Sequence, residues 1–181
     1  MKIIRLLEFL EKEPELKKFI NLHPEYSNQE LKSIFSKLKK IYKEYLKNLD
    51  NFYELYIDGA SRGNPGKAAA GFIICKNGKE IARGGKYLGI KTNNEAEYYA
   101  LLLGLQKCKE LNIKKIKIFS DSKLIVNQVK GLFKVKDEKL KNIYKKVLNI
   151  LKNFDYEIEH IPREKNKIAD NIANYKLDEV I

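Results

Sequence analysis

The sequence predicts an α/β domain with a five-stranded mixed sheet flanked by helices, behind a small all-helical N-terminal segment. Three observations carry that expectation. Residues 53–88 hold three runs with strand character, separated by turn signals rich in glycine. Residues 93–181 then alternate helix, strand, helices, strand and helix, which is how crossovers add parallel strands to a sheet. All ten glycines fall at or after Gly59, so the texture changes near residue 50 and divides the chain into two expected domains, 1–50 and 51–181.

In the first domain, an apolar helix is expected around Ile3–Leu10 and a short one after Pro14, a residue suited to a first helical turn. Ser27 with Glu30 forms a capping box. It opens a longer helix with apolar positions at Leu31, Ile34, Phe35, Leu38, Ile41, Tyr42, Tyr45 and Leu49, the spacing of one buried face. Fifty residues make a marginal independent domain, so that face is expected to pack within the segment or on the remainder. A protein–protein adaptor is the alternative use of the same stripe.

In the second domain, Tyr53–Asp58 alternates in period two and reads as a strand. Gly59–Gly66 reads as a turn, and Ala69–Cys75 as a strand of small residues. Asn77-Gly78 is a strong hairpin signal, and Lys79–Leu88 is the returning strand. A long helix is expected over Asn93–Leu111, a strand over Lys115–Phe119, and a helix after Asp121-Ser122. A lysine-rich helix follows over Asp137–Asn153, then a strand over Tyr156–Ile161 and a final helix after Pro162.

The chain of 181 residues carries a net charge of +12, and a third of its residues are charged. Such a composition describes a soluble globular protein, not a disordered one. No apolar run reaches the roughly 20 residues of a membrane span, and the N-terminus lacks a signal-peptide core. Cys75 and Cys108 cannot build a disulfide framework, so a cytoplasmic location is expected. The positive excess favours a polyanionic partner, nucleic acid first. It is densest over residues 130–152, where eight lysines face only Asp137 and Glu138.

In a basic protein, the informative residues are acids. Asp58 and Asp121 each end an expected strand; if those strands are parallel neighbours, their ends lie about 4.8 Å apart. That edge is where α/β proteins generally place ligands. Two carboxylates that close repel each other unless a cation lies between them, and oxygen ligands suit Mg²⁺ or Mn²⁺. Each residue also has an ordinary structural role when taken singly. Asp58 can begin a turn, Asp121 can cap a helix, and Glu97 and Asp170 can complement helix dipoles. His160 can be a packed histidine, Asn93-Asn94 an N-cap pair, and Gly63–Gly66 a tight loop. Together they point to one site.

The order of these blocks resembles type 1 ribonuclease H: Asp58-Gly-Ala-Ser-Arg-Gly-Asn-Pro-Gly66, Thr92-Asn-Asn-Glu-Ala-Glu97, Ser120-Asp121-Ser122, then His160 and Asp170. The resemblance covers about residues 53–177. It implies a ribonuclease H-like fold in which Asp58, Glu97, Asp121 and Asp170 hold two Mg²⁺ ions, with Mn²⁺ as a possible substitute. It also implies that His160 takes part in catalysis by proton transfer or product release. Substrate contacts carried over from the family fall on Ser61, Asn64, Thr92, Asn93, Asn94, Ser122, Asn127 and Asn166. The implied activity is hydrolysis of the RNA strand of RNA/DNA hybrids by two-metal-ion catalysis, leaving 5′-phosphate and 3′-hydroxyl ends. Recognition would use shape and 2′-hydroxyls, without sequence preference.

Two features depart from parts of that family. The chain has no tryptophan, so it lacks the tryptophan-rich basic handle of some members, and 128–153 reads as a short loop and one helix. The lysines there either contact phosphate in its place or decorate a solvated helix face. Residues 1–50 show no hybrid-binding module of the kind some members carry, so their protein partner is unknown. A broader nuclease that also cuts double-stranded RNA and a non-catalytic hybrid-binding module are the alternatives, and a monomer is expected.

Overall fold

Tyr53–Gly63 forms β1, the central strand of a five-stranded sheet. The computed structural model describes residues 27–49 and 52–180, and the chain divides into two units, Met1–Asn51 and Phe52–Ile181. The helices expected at Ile3–Leu10 and after Pro14 lie outside the described residues.

In the first unit, α1 spans Asn28–Leu49. Its capping box forms as expected: the Glu30 amide donates to Ser27 Oγ at 3.2 Å, and the Ser27 amide donates to Glu30 Oε2 at 2.8 Å. The apolar stripe differs from the expected buried face. Ile34, Leu38, Ile41 and Tyr45 are exposed, and Phe35 and Tyr42 are only half-buried. Helical spacing fixes which side chains share a face, but it does not determine whether another element covers that face.

The second unit continues with β2 (Gly66–Lys76), β3 (Lys79–Lys91), α2 (Asn93–Glu110), β4 (Lys115–Ser120), α3 (Lys123–Val129) and α4 (Glu138–Leu151). It closes with β5 (Asp155–His160), a 3₁₀ turn at Arg163–Lys165 and α5 (Lys167–Asp178). The strand order is β3-β2-β1-β4-β5. β1, β2 and β3 are antiparallel, and β4 lies parallel to both β1 and β5. Asn77 and Gly78 turn the β2–β3 hairpin with positive φ at both positions (52° and 73°), as an Asn-Gly hairpin requires.

One expected boundary moves. The segment Gly59–Gly66 is not a loop: β1 runs on to Gly63, paired with β2 down to Gly63 opposite Gly66, and the turn is Asn64-Pro65 alone. Gly59, Ala60 and Ser61 carry turn-type side chains, but opposite Ala70, Ala69 and Ala68 they form a ladder of small residues. Asp58 therefore lies inside β1, opposite Gly71. The strand that ends near Asp58 is its parallel neighbour. β4 pairs with β1 only over Tyr53–Tyr56 and stops at Ser120.

The main core lies between the sheet and the pair α2 and α4. Leu55, Ile57, Ile74, Leu101, Leu105, Ile116 and Ile118 are each fully buried, and α4 contributes Leu140, Ile143, Val147 and Leu151. Each such side chain adds about 1.5–3 kcal/mol of transfer free energy. No helix among the described residues is long and apolar enough to cross a membrane.

Candidate active site

Two glycines set the positions of the acids. A Cβ on Gly59 would lie 2.1 Å from the Glu97 amide nitrogen, so the backbone of α2 rests directly on β1 there. A Cβ on Gly71 would lie 2.6 Å from Ala169 O and Ala173 N, so α5 rests in the same way on β2. Successive strand residues point to opposite faces, and paired residues to the same face. Asp58, next to Gly59 and opposite Gly71, therefore points toward the face covered by α5. Glu97 comes from the helix on the other face. The two meet because β4 has already ended, leaving a notch beside β1.

In that notch, one carboxylate oxygen each from Asp58, Glu97 and Asp121 lies within 4.8 Å of the others. Asp58 and Glu97 are each only 5% exposed. Burial, followed by the charges of Asp121 and Asp170, pushes the Asp58 carboxyl up to about 8; Arg163 opposes the shift. Burial, then Asp58 and Asp121, raise Glu97 well above the ordinary range, against a backbone hydrogen bond from Gly59 and the charge of Arg163. Glu97 Oε2 is buried and has no hydrogen-bond partner among the described residues. Three carboxylates offering hard oxygen donors, one of them with an orphaned oxygen, fit a divalent cation, which would supply the missing partner and cancel the repulsion.

Asp170 lies in the first turn of α5, outside the group of three. Arg163 Nη2 donates to its Oδ1 at 2.8 Å. His160 ends β5 opposite Ser120, with Nε2 3.2 Å from the Asp121 carbonyl oxygen, and it is exposed. Asn166, expected among the substrate contacts, is 1% exposed. Its Nδ2 donates to Ile57 O and to Asp121 Oδ1, both at 2.9 Å. It thereby satisfies a β1 carbonyl beyond the reach of β4 and fixes the Asp121 carboxylate with the same group.

Of the remaining expected contacts, Ser61, Asn64, Thr92, Asn93 and Asn94 lie around the β1–β2 turn at Asn64-Pro65 and the start of α2. Thr92 is the N-cap: its Oγ1 accepts from the Glu95 amide at 3.2 Å, and Glu95 Oε2 accepts from the Thr92 amide at 2.9 Å. Asn64 Oδ1 accepts from the exposed Asn93 amide at 3.1 Å, and Ser61 Oγ donates to Lys91 O at 2.9 Å. Asn64, Thr92 and Asn94 line one groove with Lys139 and Lys146 of α4. Ser122 caps α3, accepting from the Ile125 amide at 3.4 Å. The Asn127 carbonyl oxygen accepts from the amides of Leu132 and Phe133, which places Asn127 at the base of that loop.

The residue that sequence reasoning passed over is Arg163. The available signal was its type: an arginine between His160 and Asp170, in a chain with 32 lysines and four arginines.

A mixed sheet whose parallel edge gathers buried carboxylates defines the ribonuclease H-like fold. The reverse transcriptase-like family model matches residues 56–176. Ribonuclease HI of Halobacterium salinarum is 39% identical over 126 residues, covering 68% of this chain and 63% of that protein. The crystal structure of RNase H1 from the same halophilic archaeon superposes with a TM-score of 0.68 at 38% identity, covering 70% of this chain and 98% of that one. LC11-RNase H1, crystallised in complex with an RNA/DNA hybrid, gives a TM-score of 0.68 at 35% identity, covering 71% of this chain and 98% of that one. The chain belongs to the type 1 ribonuclease H family. It spans less than two thirds of the length of the curated Halobacterium relative.

Proposed function

We propose that residues 51–181 form a metal-dependent endoribonuclease that hydrolyses the RNA strand of RNA/DNA hybrids, leaving 5′-phosphate and 3′-hydroxyl ends. The observation that carries this reading is the trio of buried Asp58 and Glu97 with half-buried Asp121, together with the orphaned Glu97 oxygen. Burying like charges without a compensating ion is costly, so a module that only bound nucleic acid would gain nothing from them. The RNA/DNA hybrid bound to LC11-RNase H1 supports the choice of substrate.

Asp58, Glu97, Asp121 and Asp170 would hold two Mg²⁺ ions, or Mn²⁺ in their place, supplying the positive charge that phosphodiester hydrolysis needs at the attacking water and the leaving oxygen. Asn166 positions Asp121. His160, exposed beside the Asp121 backbone, would carry a proton at Nε2 or Nδ1 to or from solvent. Asn64, Thr92 and Asn94 offer uncharged groups along the groove, while Lys139 and Lys146 add phosphate attraction on its α4 side. Ser61 and Asn93 act through the hairpin, holding Asn64 and the start of α2 in register. Ser122 and Asn127 belong to the α3 segment, which leads away from Asp121.

The experiment is incubation with labelled RNA/DNA hybrid, duplex RNA and duplex DNA in Mg²⁺, Mn²⁺ or chelator, with the product ends mapped. Metal-dependent cutting of the hybrid RNA with 5′-phosphate ends is expected. No cleavage of the hybrid in either metal would overturn the assignment, and equal cutting of duplex RNA would broaden it.

A further inference from the structure

We infer that Arg163 is an internal counter-ion for Asp170 that competes with the second divalent ion for that carboxylate. This rests on the ribonuclease reading above and adds a control on how much metal the site requires.

Arg163 has a fixed base and an exposed head. Its backbone belongs to a tight turn in which the Lys165 amide donates to Pro162 O and the Asn166 amide to Arg163 O, both at 2.9 Å. The Asn166 side chain ties that turn to β1 and to Asp121. The Arg163 side chain, by contrast, is 74% exposed, so it can leave Asp170 without disturbing packed structure. Asp170, only 21% exposed, is held by it at 2.8 Å and stands outside the trio formed by Asp58, Glu97 and Asp121. The guanidinium also acts electrostatically on Asp58 and Glu97, so its charge reaches the whole site.

The charge balance gives the consequence. Without metal, one arginine and the protons favoured on the buried Asp58 and Glu97 together offset the four acids. Four carboxylates and two divalent ions already cancel, so in the loaded site the guanidinium is one positive charge in excess. A first ion, held by the trio, takes no carboxylate that Arg163 is bonded to. A second ion that takes Asp170 must share that carboxylate with Arg163 or displace it from Oδ1, and in either case faces its repulsion. An exposed ion pair contributes modestly, so removing Arg163 should tighten the second site by roughly two- to fivefold.

The test is a Mn²⁺ titration of the full chain without substrate, with free Mn²⁺ followed by electron paramagnetic resonance. Wild type, Arg163→Ala, Arg163→Lys and Asp58→Asn are compared. The expected result is two Mn²⁺ ions in the wild type, with the weaker site tightened in Arg163→Ala. Arg163→Lys, which keeps the charge without the guanidinium fork, should lie between them. Added salt should narrow the difference. A weaker site that is unchanged or loosened in Arg163→Ala overturns the inference, because an arginine needed only to place Asp170 would loosen it when removed. Wild type that binds no Mn²⁺, or Asp58→Asn that binds as wild type does, instead overturns the metal reading on which the inference rests.

Discussion

Asp58 and Glu97 are each 5% exposed and are held where helix backbone rests on glycine, at Gly59 and Gly71. Lys130, Lys134, Lys136, Lys139, Lys145 and Lys146 are all exposed, on α4 and the loop before it. The acids are few, crowded and destabilising in the absence of an ion; the lysines are many, spread out and nearly neutral in energy. Chemistry needs charges fixed to a fraction of an ångström, and only close packing provides that. Attraction to phosphate needs only net charge nearby, which flexible side chains supply.

Breaking the acidic region should have the largest effect. Glu97→Gln keeps the shape and removes one buried charge, so hybrid cleavage should fall about 10²- to 10³-fold. In chelator the same variant should be more stable than wild type, since it removes a carboxyl whose charge is opposed first by burial and then by Asp58 and Asp121. Gly59→Ala tests the packing directly. Its Cβ would meet the α2 backbone at 2.1 Å, and the overlap should cost about 3 kcal/mol in denaturant unfolding as well as impair cleavage by moving Glu97.

The pH dependence of the metal-free protein is a subtler consequence. Asp58 titrates near 8 in the folded state against an ordinary value of 3.8, so between those values the folded chain binds more protons than the unfolded chain. Stability in chelator should therefore fall as pH rises from about 4 through 8. Thermal unfolding across that range checks the sign, and Asp58→Asn should flatten the profile. The lysine region should give the smallest response. Replacing Lys139 and Lys146 with alanine should leave stability within about 0.5 kcal/mol. If both lysines neutralise phosphates, the salt slope of hybrid binding should drop by roughly 0.9 for each one replaced; an unchanged slope would make them a solvated helix face.

The three acids of the trio were legible because their motifs fix residue type and spacing, and Asn77-Gly78 was legible because few turns accept that pair. The course of β1 past Asp58 was not. Gly59, Ser61 and Gly63 look like turn residues, and only their pairing with Ala68–Ala70 and Gly66 makes them a strand. The family motif marks Asn166 as a residue of interest, but the sequence cannot show that its amide faces inward to Ile57 and Asp121. Burial of one polar side chain depends on where neighbouring strands stop, a long-range fact. The stripe on α1 shows the converse: helical spacing predicts the helix, yet periodicity alone cannot say what covers a face, and Ile34, Leu38, Ile41 and Tyr45 remain exposed.

The most direct measurement sets activity and stability side by side in wild type and Asp58→Asn. Cleavage of a labelled RNA/DNA hybrid in Mg²⁺ is followed together with thermal unfolding in chelator and in Mg²⁺. The expected result is that wild type alone cuts the RNA strand and is stabilised by Mg²⁺, whereas Asp58→Asn is inactive, more stable than wild type in chelator and little changed by the ion. Undiminished cleavage by Asp58→Asn, or a Mg²⁺-induced stabilisation equal to that of wild type, would contradict it.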